Sequence, residues 1–275
     1  MKIKPRCISC LIRRAIIEGE LATEDENLHF EILKRFTAFL SNNISRDKVP
    51  AHLGTMRDRI IKEVTKNPDP YKELKEITNK IALEISKNIK YRNLNELISL
   101  SASANAIEFG VLGHEFALES IENSLRKDIP VPDLIIDKIE NSQKILFLTD
   151  NAGEFIFDLL LIEELKKRDK EVFIAAKEVP VINDVTIEEV KEFTDAPVLS
   201  AGKSVGVNFE EADKDFLKLF GEADLIISKG MGNYEVLSEC EGKLSGRLLY
   251  VLKAKCLSVA ESLGVEHKKI IIKLV

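Results

Sequence analysis

The 275-residue chain has no tryptophan, only four cysteines, and no apolar run of the ~18 residues that a membrane-crossing helix needs. Each absence narrows the field. Four cysteines do not make a disulfide scaffold. Their one patterned pair, Cys7-x-x-Cys10, has no second CxxC or spaced histidine pair to complete a tetrahedral zinc site. Cys240 and Cys256 can join it only through the fold. The CxxC also lies outside any βαβ context, which argues against a thioredoxin-like redox role. The four histidines, His29, His52, His114 and His267, form no ligand pair. There is no long basic block, and 40 Lys+Arg against 46 Asp+Glu leaves a net charge of -6, so nucleic acid is not an expected partner. The basic start, residues 1–6, leads into no apolar signal core, so a cytoplasmic protein without a membrane partner is expected. Neither a P-loop, nor G-x-G-x-x-G, nor a G-x-S-x-G elbow is present.

What is present is 45% hydrophobic residues, enough for a substantial core. Residues 1–126 read as helical. Residues 24–40 carry Leu28, Ile32, Phe36, Phe39 and Leu40 near a 3.6 period. Asn67-Pro-Asp-Pro70 breaks the chain, and a helix over 70–89 follows, with Leu74, Ile77, Ile81 and Ile85 on one face. Further helices are predicted over 94–109 and 114–127. The character changes after Pro130-Val-Pro132. Short apolar runs at 145–149, 172–176, 198–201, 225–228 and 270–275 read as strands. Helices are expected over 154–168, 186–193, 213–220 and the longer 246–263. Strands spaced by helices imply a doubly wound, mainly parallel sheet. The expected architecture is therefore α/β: a helical part, 1–126, beside a three-layer α/β/α Rossmann-like part, 127–275.

The chemistry concentrates where strands end. Asp150 and Asn151 stand between the run 145–148 and a helix, at the edge where open α/β sheets bind ligands. Their oxygens are hard ligands suited to Mg, Mn or a similar ion. Either residue also suits a helix cap, and the two readings are compatible. Glu154 falls in the first helical turn, favoured there by the macrodipole. Asp184 follows the next strand, just ahead of a Thr186–Glu189 capping box, and can supply a third oxygen. Lys229-Gly-Met-Gly-Asn233 reads as a glycine-rich loop in which Lys229 and Asn233 meet a phosphate. Lys253 and Lys255 lie in a stretch read as helical; Lys255 either snorkels to solvent or reaches the crevice. Ser103, Asn105 and Glu108 either face the same cleft or end a helix.

Together these segments resemble the damage-control phosphatase family, long known as domain of unknown function 89, in its archaeal-type subgroup with an N-terminal CxxC. The resemblance rests on Cys7-x-x-Cys10, Asn67-Pro-Asp-Pro-Tyr71, Asn105-Ala-Ile-Glu-Phe-Gly110, Asp150-Asn-Ala-Gly-Glu154, Asn183-Asp-Val-Thr186, Lys229-Gly-Met-Gly-Asn-Tyr-Glu235 and Lys255-Cys256, in that order. It implies a phosphatase that hydrolyses small phosphate monoesters, sugar phosphates or damaged phosphometabolites, with a divalent Mn, Co, Ni or Mg cofactor. It implies Asp150, Asn151 and Asp184 as catalytic metal ligands. Asn105, Glu154, Lys229, Asn233 and Lys255 would bind substrate. Ala104 and Glu108 depart from the family's usual Gly and Asp. Ala152 stands where an Asp-x-Asp nucleophile would place its second acid, so attack by water is favoured. Two other readings stay open: a carboxyl methyltransferase using S-adenosylmethionine, and a non-catalytic metal or redox module built on Cys7 and Cys10.

Overall fold

A computed structural model describes residues 1–105, 125 and 129–275. Helices come first: α1 (Pro5–Ala22), α2 (Glu26–Asn43), α3 (Pro50–Thr65), α4 (Lys72–Ser86) and α5 (Leu94–Ala104). Pro5 and Pro50 sit in the first turns of α1 and α3, where no amide donor is missed. Asp25 and Asn93 cap α2 and α5 by accepting from the amides of Asn27 and Glu96. The helices predicted over 24–40 and 70–89 are thus α2 and α4. The end of the helix predicted to reach residue 109, nearly all of the one over 114–127, and the 126/127 boundary lie outside the described residues.

After α6 (Asp133–Glu140) strands and helices alternate. They are β1 (Lys144–Leu148), α7 (Glu154–Lys167), β2 (Glu171–Ala176), α8 (Ile187–Lys191), β3 (Val198–Ser200), α9 (Lys214–Glu222), β4 (Leu225–Lys229), α10 (Gly230–Leu237), β5 (Leu248–Lys253), α11 (Leu257–Leu263) and β6 (Ile270–Leu274). The sheet order is β3-β2-β1-β4-β5-β6, parallel except for the antiparallel β5–β6 edge. The chain winds outward from β1 to β3, then returns to β4 on the other side. The crevice between β1 and β4 is therefore the topological switch point, where such sheets bind ligands.

Two expectations need correction. The stretch 246–263 is not one helix: Leu248–Lys253 is strand β5, paired with β4 and β6, and helix begins only at Leu257. A short, continuous apolar run suits a strand buried on both faces as well as a buried helix, and periodicity does not separate them. Residues 230–237 are not a loop but helix α10, so the glycines form its first turn.

Alternate strand residues face opposite layers. Phe147, Ile174, Ile227 and Val251 pack on one side with Ala82, Leu97, Ile139 and Phe157. Leu146, Ile226 and Tyr250 pack on the other with Phe216, Tyr234, Leu237 and Val259. Each such large buried side chain contributes roughly 1.5–3 kcal/mol. The helices α4 and α5 thus share a core with the sheet. A separate cluster of Leu11, Ala15, Phe36, Leu40 and Leu53 joins α1, α2 and α3. No helix among the described residues is long and apolar enough to cross a membrane.

Candidate active site

Beyond β1 the chain passes through Thr149-Asp150-Asn151-Ala152 and turns at Gly153, φ 73°, into α7. The segment after β2 runs back alongside it. Ala152 N donates to Asn183 O at 2.9 Å, and Val185 N donates to Asp150 O at 3.0 Å. Asn151 and Asp184 are bridge partners. This pairing of two loops brings Asp184 beside Asp150 and Asn151. Gly230, at the N-terminus of α10, completes the floor. Its φ is +76°, and a Cβ there would lie 2.0 Å from Asp150 Oδ2. Only glycine leaves room for that carboxylate.

Asn105, at the end of α5, donates its amide to Asp150 Oδ2 at 3.0 Å and to the two Glu154 oxygens at 2.9 Å. Its Oδ1 accepts from Lys253 N at 2.8 Å, tying it to the end of β5. Asn151 donates to Asp150 Oδ2 at 2.8 Å and Glu154 Oε2 at 3.1 Å. Beneath them Lys229 is fully buried. Its ammonium donates to Ser101 O at 2.6 Å, Ser101 Oγ at 2.7 Å and Asp158 Oδ1 at 2.7 Å, and lies 2.9 Å from Glu154 Oε1. Asn233 donates to Thr149 O at 2.9 Å and Lys229 O at 2.8 Å, joining the ends of β1 and β4.

Asn105, Lys229 and Asn233, expected on the substrate, therefore sit behind the acids with their donors engaged. Lys255 is different. With 248–253 a strand, Lys255 lies just past its carboxyl end, half-buried, on the same edge as Asp150. Among the described residues its ammonium forms no ion pair within 4.0 Å, and its charge draws the Asp150 carboxyl downward.

The site is electrostatically loaded. Burial, reinforced by the charges of Glu154 and Asp184, holds Asp150 well above the usual carboxylate range. Burial raises Asp184 to about 6 against the pull of Lys177, 3.6 Å away. Burial likewise raises Asp158 to about 7 against Lys229. Desolvation opposes the Lys229 charge, yet Asp158 and Glu154 hold its pKa above the ordinary lysine value. Crowded, buried acids of this kind mark functional sites.

This donor set fits a hard divalent ion. Asp150 and Asp184 present carboxylates from adjacent strand ends, and a cation between them would offset the burial that raises both pKa values. Among the described residues no three His, Cys, Asp or Glu side chains form a metal-binding group, so the set depends on the Asn151 amide oxygen as its third member.

Several participants had no role in the sequence reading. Asp158 is the clearest: a lone acid in the apolar run Phe155-Ile-Phe157 to Leu159-Leu-Leu161, one turn after Glu154. That spacing is a legible signal for a partner on the same face. Asn79, which accepts from Gly153 N at 2.6 Å, left none. Ser103 is buried in α5, while Glu108 and His114 lie outside the described residues. His267 supports the Lys255 carbonyl at 3.1 Å, and His29 meets Thr23 O at 2.8 Å. Of the CxxC pair, Cys7 is buried and contacts Ser258 Oγ at 3.4 Å, whereas Cys10 is exposed.

Known proteins share this framework. An uncharacterized protein of Methanocaldococcus jannaschii is 38% identical over 285 residues, covering 97% of this chain and 93% of its own. A damage-control phosphatase of Archaeoglobus fulgidus is 33% identical, with 100% of both chains covered. A DUF89 family protein of Pyrococcus horikoshii, known from its crystal structure, superposes with a TM-score of 0.89 at 30% identity, covering 100% of this chain and 99% of that one. A family model, the damage-control phosphatase ARMT1-like domain, matches residues 3–271. On the strength of that near-complete match, the chain belongs to the damage-control phosphatase ARMT1-like domain family.

Proposed function

We propose that this chain is a divalent-metal-dependent phosphatase acting on small phosphate monoesters, such as sugar phosphates or damaged phosphometabolites, in the cytoplasm. Cys7-x-x-Cys10 supports placing it in the subgroup with an N-terminal CxxC. The observation that carries the reading is the meeting of Asp150, Asn151 and Asp184 at the β1/β4 switch point, with Lys255 on the same edge.

Asp150, Asn151 and Asp184 would hold the ion, Mn, Co, Ni or Mg. When bound, the ion supplies Lewis-acid chemistry to the phosphoryl group and to an attacking water. Phosphate-monoester hydrolysis is among the slowest uncatalysed reactions, so charge stabilisation dominates the requirement. Lys255 brings a positive charge to the developing phosphoryl charge. The first-turn amides of α10, beside Asp150, point the same way as donors. Glu154, held by Lys229 and Asn105, fixes the Asn151 amide and so the orientation of the ligand set. No second acid follows Asp150 at residue 152, and water remains the favoured nucleophile.

The test is phosphate release from p-nitrophenyl phosphate and a panel of sugar phosphates by metal-stripped protein, with Mg, Mn, Co or Ni restored in turn. Asp150→Asn should lower the metal-stimulated rate roughly 10²–10³-fold, the scale for losing one preorganised electrostatic group. Undiminished release by that variant would remove the assignment.

A further inference from the structure

The segment that carries Asp184 contains the least comfortable backbone near the site. Ile182 adopts φ +44°. Left-handed backbone is uncommon for any side chain, and for a β-branched one it costs about 1–3 kcal/mol unless its surroundings enforce it. The enforcing groups come from α3. Asp58 is 2% exposed, and its Oδ1 accepts from Ile182 N at 3.2 Å. Lys62, one turn on, donates to Asp58 Oδ2 at 2.7 Å and to Pro180 O at 2.6 Å. Two linked side chains thus grip the backbone donor of one residue and the acceptor two residues earlier. Asp184 N then donates to Val181 O at 3.0 Å, closing the turn that presents the Asp184 carboxylate. Val181 is buried, but the outer side of Val179 and Pro180 is open. There an open groove of about 580 Å³ runs past Lys62, Val179 and Pro180.

We infer that Asp58 and Lys62 are positioning residues for the site: they clamp the 180–182 backbone and hold Ile182 in the conformation from which Asp184 reaches Asp150 and Asn151. The inference rests on the reading of Asp184 as a metal ligand. Neither residue belongs to the set proposed to meet the ion or the phosphate. They act through the strained turn, as outer supports commonly act on metal ligands.

The experiment compares Mn²⁺ binding by calorimetry on metal-stripped protein with the Mn²⁺ concentration that half-activates p-nitrophenyl phosphate hydrolysis. Asp58→Ala should weaken Mn²⁺ binding about 10–100-fold, the range for losing an outer support of a metal ligand. Hydrolysis at saturating Mn²⁺ should change far less. Asp58→Asn loses the charge but keeps an acceptor for Ile182 N, and should stay within a few-fold of wild type. Adding Ile182→Gly to Asp58→Ala should restore much of the affinity, because glycine adopts this φ without a clamp. Lys62→Met, at a partly exposed position where misfolding is not expected, should give a smaller loss in the same direction.

Wild-type Mn²⁺ affinity in Asp58→Ala would overturn the inference. So would an Asp58→Asn as impaired as the alanine variant, since charge and not the hydrogen bond would then matter. Failure of the underlying metal reading shows elsewhere, in wild-type protein that neither binds Mn²⁺ nor responds to it.

Discussion

The helical half and the α/β half contribute differently to one site. The α/β half presents groups at the sheet edge: Asp150 and Asn151 after β1, Asp184 after β2, and Lys255 after β5. The helical half adds supports to those that Glu154, Asp158, Lys229 and Asn233 provide within the α/β half. Asn79 caps the turn into α7, Ser101 receives Lys229, Asn105 bridges Asp150 and Glu154, and Asp58 holds the Asp184 turn. Parallel strands deliver polar groups to one edge because all their carboxyl ends lie there. Helices packed against that edge can only approach from behind or above. Reactive groups thus lie near one another in the topology, while the supports from α3, α4 and α5 lie far off in sequence.

The strongest test of that contrast is Lys229→Met. It leaves Asp158 and Glu154 buried without their shared cation and should cost about 3–5 kcal/mol in urea unfolding, as breaking a buried pair does. A cost under about 1 kcal/mol would mean the acids do not depend on it.

The pH dependence of stability sharpens the contrast, since Glu18 in the helical half and Asp158 in the α/β half are both strongly raised, the latter together with Asp150, Asp184 and Glu235. Glu18, paired with Arg57 at 2.8 Å, is raised by burial to about 7 from 4.5, and Asp158 to about 7 from 3.8. Between those values the folded chain binds more protons than the unfolded one. Its stability is therefore greatest at low pH within this window and is lost as pH rises through about 7. The melting temperature without added metal should fall between ~pH 5 and ~pH 8 by an amount worth a few kcal/mol. Asp158→Asn should flatten that slope only in part; the helical half's share, from Glu18, should persist. A flat profile in the parent protein would remove both contributions.

Asn105→Ala asks how much one support matters. It strips a partner from Asp150, Glu154 and the Lys253 amide, and should cost about 1–3 kcal/mol in chemical denaturation. It should also weaken metal activation while leaving a residual rate. Loss of stability with unchanged metal response would make Asn105 a purely structural tie. The smallest effect is expected at Cys10→Ser. An exposed thiol outside any contact with the site should move stability by no more than about 0.5 kcal/mol and leave phosphate release unchanged. A large loss of activity there would give the CxxC a function that its geometry does not suggest.

Strands legible in the sequence were those whose apolar runs are bounded by turns, and their carboxyl ends located Asp150, Asn151 and Asp184. The Thr186–Glu189 capping box is present as read, with Glu189 N donating to Thr186 Oγ1 at 3.3 Å. The stretch 246–263 reads as helix because Leu248-Leu-Tyr-Val-Leu252 is a continuous apolar run flanked by Arg247 and Lys253. Its strand character comes from pairing with β4 and β6, which local sequence does not encode. As a strand, Leu248–Lys253 places Lys255 at the sheet edge and not on a helix face.

By itself the sequence determined the α/β class and the acids at the strand ends, because hydrophobic period and turn chemistry are local. Tertiary structure alone decided which polar groups stay available. Lys229 and Asn233 read as phosphate ligands in the sequence, and in the fold Ser101, Asp158 and Thr149 arrive from other elements as partners of their donors. Burial and hydrogen-bond partnership are long-range properties, and in this chain they separate the groups facing the crevice from those that hold them in place.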